Sequence, residues 1–307
     1  MAEAQQPSQP TRAGFVALIG APNAGKSTLL NQLVGAKVSI VSRKVQTTRT
    51  QVRGIALTGP TQIVFVDTPG IFAPKRRLDR AMVTSAWGGA TDADLIGVLI
   101  DVAKFDHEEN VKLLERLAEL KQPKFLILNK IDTVPKEKLL AITSEVNART
   151  TFETTFMIAA LTGYGVKDML SWLETRMPLS PWLYPEDQIS DAPLRFLAAE
   201  ITREKIFERL HDELPYRSTV ETEQWQQRPD GSVRIEQTIY VEREGQRKIV
   251  LGEGGQTIKA IGQAARKEIT EAAEATVHLF LFVKVRENWA DDPERYREMG
   301  LEFPRGG

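Results

Sequence analysis

Apolar positions along the chain fall into short runs set apart by amphipathic stretches. From Gly14 to about Met177 the runs are FVALIG, QVRGIAL, TQIVFVD, DLIGVLID, KFLILNK and TTFMIAA, each the length of one strand. Helical patterns lie between most of them, as in EENVKLLERLAELK, where Val111, Leu114, Leu117 and Leu120 recur near a 3.6-residue period. This alternation predicts βαβ units: an α/β domain with a mostly parallel sheet and helices on both faces. The pattern breaks at MPLSPWLYPEDQISDAP, a proline-rich stretch that reads as an extended linker. Beyond it the order becomes a helix (LRFLAAEITREKIFERL), two strands (VETEQWQQ and VRIEQTIYVE), a glycine-rich turn, a helix and a strand (TVHLFLFVKVR), an α+β arrangement. The expected organisation is a disordered N-terminus over 1–13, a first domain over 14–177, a linker over 178–193, and a second domain with a C-terminal tail over 194–307. On the later strands Trp225, Tyr240, Phe280 and Phe282 alternate with polar neighbours and are expected to fill the core. Tyr216 is a candidate stacking surface, and Trp289 is expected to seal the C-terminal turn.

Composition narrows the picture. A chain of 307 residues suits two domains, and 42% hydrophobic with 26% charged residues is ordinary for a globular protein. With no cysteine there is no disulfide and no thiolate zinc site, and three histidines argue against a His-rich metal centre. The polar, Pro- and Gln-rich start does not read as a signal peptide, and the longest apolar runs are too short to span a bilayer. A net charge of −1 points to no bulk electrostatic partner.

The chemistry lies in three loops of the first domain. GAPNAGKS, Gly20 to Ser27, fits the phosphate-loop pattern G-x-x-x-x-G-K-[ST] between a strand and a helix. Gly20 and Gly25 let the backbone curl so that the amides of Asn23, Ala24, Gly25, Lys26, Ser27 and Thr28 can face phosphate. Lys26 supplies a charge to the β- and γ-phosphates, Ser27 a hydroxyl to Mg²⁺, and the helix its positive end. In LILNKID, Asn129, Lys130 and Asp132 follow a strand. A carboxylate at Asp132 could accept from both in-plane donors of guanine, a pair that adenine lacks. In VFVDTPG, Asp67 ends a strand where it could hold Mg²⁺ through water, and the Gly70 amide could meet the γ-phosphate.

Phosphate loop, QTTR, DTPG, NKID and AAL occur in the order of the G1 to G5 elements of Ras-like GTPases. The chain resembles that superfamily and, within it, the Era family, in which a GTPase domain precedes a KH RNA-binding domain. The resemblance covers nearly all of the chain beyond the first dozen residues, and VSRKVQTTR, EQTIYVEREGQRKIVLGEGGQTIKAIGQAARKEI and VKVRENWADD carry its most particular features. It implies a P-loop GTPase domain followed by a type II KH domain. It implies that Thr48, with Thr47 as the alternative, meets Mg²⁺ and the γ-phosphate, and that Asp67 and Gly70 form the second switch. Asn129 and Asp132 would read guanine, Lys130 would cover the ring, and the Ala160 amide would reach the guanine carbonyl. Ala159 stands where many relatives carry Ser, which removes a side-chain contact only. Ile71 stands where many Ras-like enzymes place a water-orienting Gln, so slow intrinsic hydrolysis is expected. Either K⁺ beside Asn23 compensates, or Asn23 only shapes the loop.

In the second domain, Gly252, Glu253, Gly254 and Gly255 form a G-x-x-G turn between two helices, which lets a nucleic-acid backbone approach. Ile258, Ile261, Ala265 and Ile269 then face a core. Arg243, Arg247 and Lys248 precede the turn; Lys259, Arg266 and Lys267 follow it. Gly252 to Gly255 with Lys248 and Lys259 are the candidate RNA contacts. The segment as a whole is slightly acidic and Glu253 opposes phosphate, so a shallow salt dependence is expected. The resemblance implies a GTP-hydrolysing switch that takes GTP and GDP, binds the 3′ region of small-subunit ribosomal RNA and assists small ribosomal subunit assembly. It further implies a cytoplasmic monomer with peripheral contact at the inner membrane face, for which no segment offers a basis. The alternatives are an RNA chaperone with guanine nucleotide as a structural ligand, and a GTPase acting on tRNA or the large subunit. The latter should lack the G-x-x-G turn.

Overall fold

The structure is a computed structural model that describes residues 10–304. It divides into two compact units. The first comprises the chain up to Ala36, Gln51–Ala73 and Ala86–Asp191; the second comprises Lys37–Thr50, Pro74–Ser85 and the chain from Ala192 onward.

The first unit is built on a six-stranded sheet. Its elements are β1 (Arg12–Gly20), α1 (Lys26–Val34), β2 (Val52–Thr58), β3 (Thr61–Asp67), the second half of α2 (Arg77–Asp92), β4 (Leu95–Asp101), α3 (Glu108–Ala118), β5 (Lys124–Asn129), α4 (Lys136–Arg149), β6 (Thr155–Ile158) and α5 (Val166–Arg176). The strand order is β2-β3-β1-β4-β5-β6. Only β2 runs antiparallel to its neighbour, through a hairpin with β3; every other pairing is parallel. Helices cover both faces of a parallel sheet, so β3, β4 and β5 are buried along their whole length, which explains their unbroken apolar runs. Helix α3 ends at Ala118, so its buried stripe is Asn110, Leu113, Leu114 and Leu117, rotated from the expected one. Glu108 and Glu109 in its first turn and Arg116 in its last complement the helix dipole.

Two expectations about the ends of this unit change. Of the N-terminus expected to be disordered, residues 1–9 lie outside the described residues, but Arg12 and Ala13 already belong to β1. The Arg12 guanidinium donates to the Met177 carbonyl at 2.7 Å, and the Ala13 amide to Pro178 at 3.1 Å. The proline-rich stretch after α5 is extended but held in place. Buried Gln62 donates to the Tyr184 carbonyl (2.8 Å) and accepts from the amides of Leu183 and Tyr184. Trp182 donates to Pro60, and the Ile55 amide of β2 donates to Ile189. A chain rich in proline leaves carbonyls to spare, and donors of β2 and β3 find them.

The second unit has the order α6 (Leu194–Arg209), β7 (Ser218–Gln227), β8 (Val233–Val241), α7 (Glu244–Leu251), α8 (Gln256–Ala273), β9 (Val277–Val285) and a short α9 (Pro293–Glu298). Its sheet runs β7-β8-β9, with β7 antiparallel and β9 parallel to β8. Ile201, Ile235, Ala265 and Ile269 form one core cluster; Ile206, Ile239, Val250 and Ile261 form another. Ile40, from the segment Lys37–Thr50, is part of the first cluster. Phe280 and Phe282 do not fill this core. Both are more than 40% exposed, while Leu279, Leu281 and Val283 turn inward. In LFLFV every position is apolar, so the sequence could not say which alternate set faces the helices; at Phe280 and Phe282 the opposite face of the sheet is open.

Candidate functional site

The end of β1 and the start of α1 make a loop whose shape leaves no room for side chains at two points. A Cβ on Gly20 would lie 2.5 Å from the Leu99 carbonyl oxygen, and one on Gly25 2.3 Å from the Asn129 amide nitrogen. Gly25 also has φ +102°, and Asn23 is left-handed at φ 61°, so the loop is curled as the pattern requires. Lys26 is buried, and its Nζ donates to the carbonyls of Gly20 and Ala21 at 3.0 Å each. Burial lowers its pKa to about 8 against the opposing pull of Asp67. Ser27 Oγ donates to Asp67 Oδ2 at 2.7 Å. Asp67 is fully buried at the end of β3. A hydroxyl and a buried carboxylate, hard oxygen donors side by side, are what Mg²⁺ binds. Thr28 follows in the first turn of α1.

The guanine-reading loops join this cradle through hydrogen bonds. Asn129 Nδ2 donates to the Ala24 carbonyl at 2.8 Å, and its Oδ1 accepts from the Ala160 amide at 3.0 Å. Lys130, left-handed at φ 62°, donates to the Asn23 carbonyl and to Asp101 Oδ2, both at 2.7 Å. Asp132 is exposed on the turn after β5, where a base could meet it. Asp101 is a residue that sequence reading missed. It ends β4 in register with Asn129 at the end of β5, and that shared strand end was the available signal. The Ile71 amide donates to Gly20, its side chain is buried, and a Cβ on Gly70 would touch the Pro22 backbone at 2.9 Å.

Thr47 and Thr48 lie on the segment Lys37–Thr50, which packs as part of the second unit. Lys37 Nζ bridges Glu204 (2.6 Å) and Glu268 (2.5 Å). The Val41 amide donates to Glu204, Lys44 Nζ to the Phe207 and Leu210 carbonyls, and Arg203 Nη2 to the Thr47 carbonyl. Lys205 completes the cluster with Glu204, Glu208 and Glu268; burial opposes its charge, but these hydrogen bonds outweigh it and raise its pKa. The anchors of Lys37, Val41, Lys44 and Thr47 carry no local sequence signal, because each partner lies far along the chain.

The glycine turn joins α7 to α8. Gly252, Gly254 and Gly255 have φ of 74°, 57° and 78°, and a Cβ on Gly254 or Gly255 would meet nothing within 4 Å. Glu253, Lys248 and Lys259 are exposed around it. Arg247 is turned away, onto Glu244 and the Val283 carbonyl. Tyr216 is edge-on to Phe207 at 5.5 Å, which removes it as a free stacking platform, and Trp289 is buried with Nε1 on the Arg217 carbonyl.

Comparisons with known proteins agree with both halves. A family model described as a 50S ribosome-binding GTPase matches residues 15–130, and a KH domain model matches 213–290. GTPase Era of Brucella suis is 67% identical over 294 residues, covering 96% of this chain and 94% of the relative. GTPase Era of Afipia carboxidovorans is 65% identical over 301 residues, 98% of each chain. Among solved structures, Era in complex with MgGDPNP and nucleotides 1506–1542 of 16S ribosomal RNA superposes with a TM-score of 0.88 at 35% identity, covering 94% of this chain and 99% of the other. An Aquifex aeolicus Era variant bound to GDP and AlF4⁻ gives 0.89 at the same identity and coverage.

Proposed function

Because this chain belongs to the Era family of GTPases, and so hydrolyses GTP, we propose that hydrolysis switches a KH domain on and off the 3′ region of small-subunit ribosomal RNA during small-subunit assembly. The observation that carries the proposal is a cramped phosphate cradle and an open glycine turn on one chain. The relative solved with a 16S fragment supports the choice of RNA. A large-subunit GTPase would share the cradle but not the turn at 252–255. The reading places the protein in the cytoplasm; among the described residues no helix is long and apolar enough to cross a membrane.

In this reading the amides from Asn23 to Thr28 and Lys26 hold the triphosphate, and Asp132 accepts from guanine beside Asn129, Lys130 and Ala160. Ser27, Thr48 and Asp67 would hold Mg²⁺, which when bound neutralises charge on the β- and γ-phosphates. No protein nucleophile is needed, since attack by water depends on positioning and charge. Ile71 offers no group to orient that water, and K⁺ at Asn23 is the compensation we propose. Equal GTP turnover in potassium and sodium chloride would overturn it.

Thr48 is the group we assign to sensing the γ-phosphate. Its segment is anchored by Lys37, Lys44 and Arg49 to the second unit, so recruiting it must draw on that unit's contacts. RNA affinity should therefore differ between the GDP form and the form with a non-hydrolysable GTP analogue, because a ligand shifts an equilibrium only by differential binding. Equal affinities would refute the coupling. For the nucleotide, Asp132→Asn should lower GTP affinity by on the order of 10²–10⁴-fold and admit xanthosine triphosphate in its place. Unchanged preference for GTP would refute the guanine assignment.

A further inference from the structure

The second unit contains a cavity of about 400 Å³ that none of these roles uses. Its walls come from α6, β7, the C-terminal turn and the end of the segment Lys37–Thr50. Arg49, Arg195, Arg203 and Arg295 all line it. Three of the four are buried: Arg203 is 1% exposed, Arg49 5% and Arg295 7%.

Carboxylates answer only part of this charge. Glu200 takes Nε and Nη2 of Arg203, Glu221 pairs with Arg295, and Glu223 accepts from the Tyr240 hydroxyl. Among the described residues, Arg49 donates only to the carbonyls of Pro215, Tyr216 and Ser218, and Arg195 only to those of Thr222 and Glu223. Nη1 of Arg203 is buried and, among the described residues, has no hydrogen-bond partner. A buried charged donor left unmade is costly, and such atoms are few in folded proteins. Burial, and after it the positive Arg203 alongside, presses the Arg49 pKa down to about 9. Burial thus disfavours the Arg49 cation despite the pull of Glu200 and Asp79, and an anion beside it and the unpartnered Arg203 nitrogen would relieve both. Arg49 also lies over the Trp289 ring, its guanidinium carbon 5.4 Å from the ring centre, a contact that restrains its fork.

We propose that this cavity binds a small phosphate-class oxyanion, either free or as the phosphate of a small metabolite, through Arg203 and Arg49 with Arg195 at its exposed rim. Guanidinium forks match such oxygens two at a time, and the volume suits a phosphorylated small molecule. Because Arg203 also donates to the Thr47 carbonyl, an occupant sits one hydrogen bond from the chain that carries Thr48.

The test is calorimetric titration of the full chain saturated with GDP, which fills the phosphate loop, using inorganic phosphate in one arm and ribose 5-phosphate in the other. Sodium chloride of matched ionic strength is the blank. One site per chain is expected. Binding of both compounds identifies the oxyanion alone as the ligand; binding of ribose 5-phosphate alone identifies a phosphorylated metabolite. Arg203→Met should weaken binding by about tenfold or more, and the milder rim change Arg195→Met by about fivefold. Circular dichroism verifies that each variant is folded, and Arg195→Met keeps the test open if Arg203→Met is not. Absence of binding up to about 10 mM of either compound would overturn the proposal, as would binding that survives both substitutions.

Discussion

The two glycine-bent turns of this protein use the same residue for opposite reasons. At Gly20 and Gly25 a side chain would strike the protein itself, at the Leu99 carbonyl and the Asn129 amide. At Gly254 and Gly255 it would meet empty space, and only the left-handed backbone asks for glycine. The first loop is closed around a buried lysine and tied to the loops after β3 and β5. The second is open, flanked by exposed Lys248 and Lys259. A tight, prebuilt cradle fits a small ligand of fixed shape; an open turn fits a polymer backbone that must come close from outside.

Changes that separate the two turns can be ranked. The largest effect should come from Lys26→Ala, which removes the one buried cation of the cradle and should lower GTP turnover by about 10²–10³-fold while leaving RNA binding by the nucleotide-free chain intact. A single-turnover assay beside an RNA filter-binding assay measures both. Gly20→Ala forces the Leu99 backbone to move and should cost about 1–3 kcal/mol of stability, read from denaturant melts of the first unit's signal. The pH dependence of GDP binding is next. Lys26 has a pKa of about 8 when no phosphate is present, and phosphate oxygens must raise it, so binding takes up a proton once the pH exceeds 8. Affinity should then fall by about tenfold between pH 7 and 9, and a flat profile over that range would mean that Lys26 stays charged. The smallest effect on folding should be that of Gly254→Ala, about 1 kcal/mol from the left-handed φ alone. It should nevertheless weaken RNA binding, because the added methyl stands where the backbone would approach. If Gly254→Ala destabilises as much as Gly20→Ala, the contrast between the turns fails.

What the sequence revealed follows the same division between local and distant causes. The phosphate loop, Asp67, and the Asn129 to Asp132 turn were legible because each needs a few residues at fixed spacing next to a strand end. The helix and strand order of both units was legible from periodicity. The packing of Lys37–Thr50 was not, since Lys37, Lys44 and Arg49 find their partners more than 150 positions away, among residues that bear no mark of it. Phe280 and Phe282 were misjudged because an all-apolar strand hides which face is covered. The unpartnered nitrogen of Arg203 was invisible for a related reason: ITREKIFER reads as an amphipathic helix, and an arginine on such a helix is normally expected in water.

The path of residues 178–190 bears on how this chain can be cut. Strand β2 is the outermost strand of the larger sheet, and the returning segment bonds to it through Ile189 and Ser190. A chain truncated at Met177, where the regular elements of the first unit have ended, would keep the nucleotide cradle but strip β2 of that cover. The bared strand would template pairing with another molecule, so such a fragment should self-associate on concentration more strongly than one ending after Asp191, which keeps that cover.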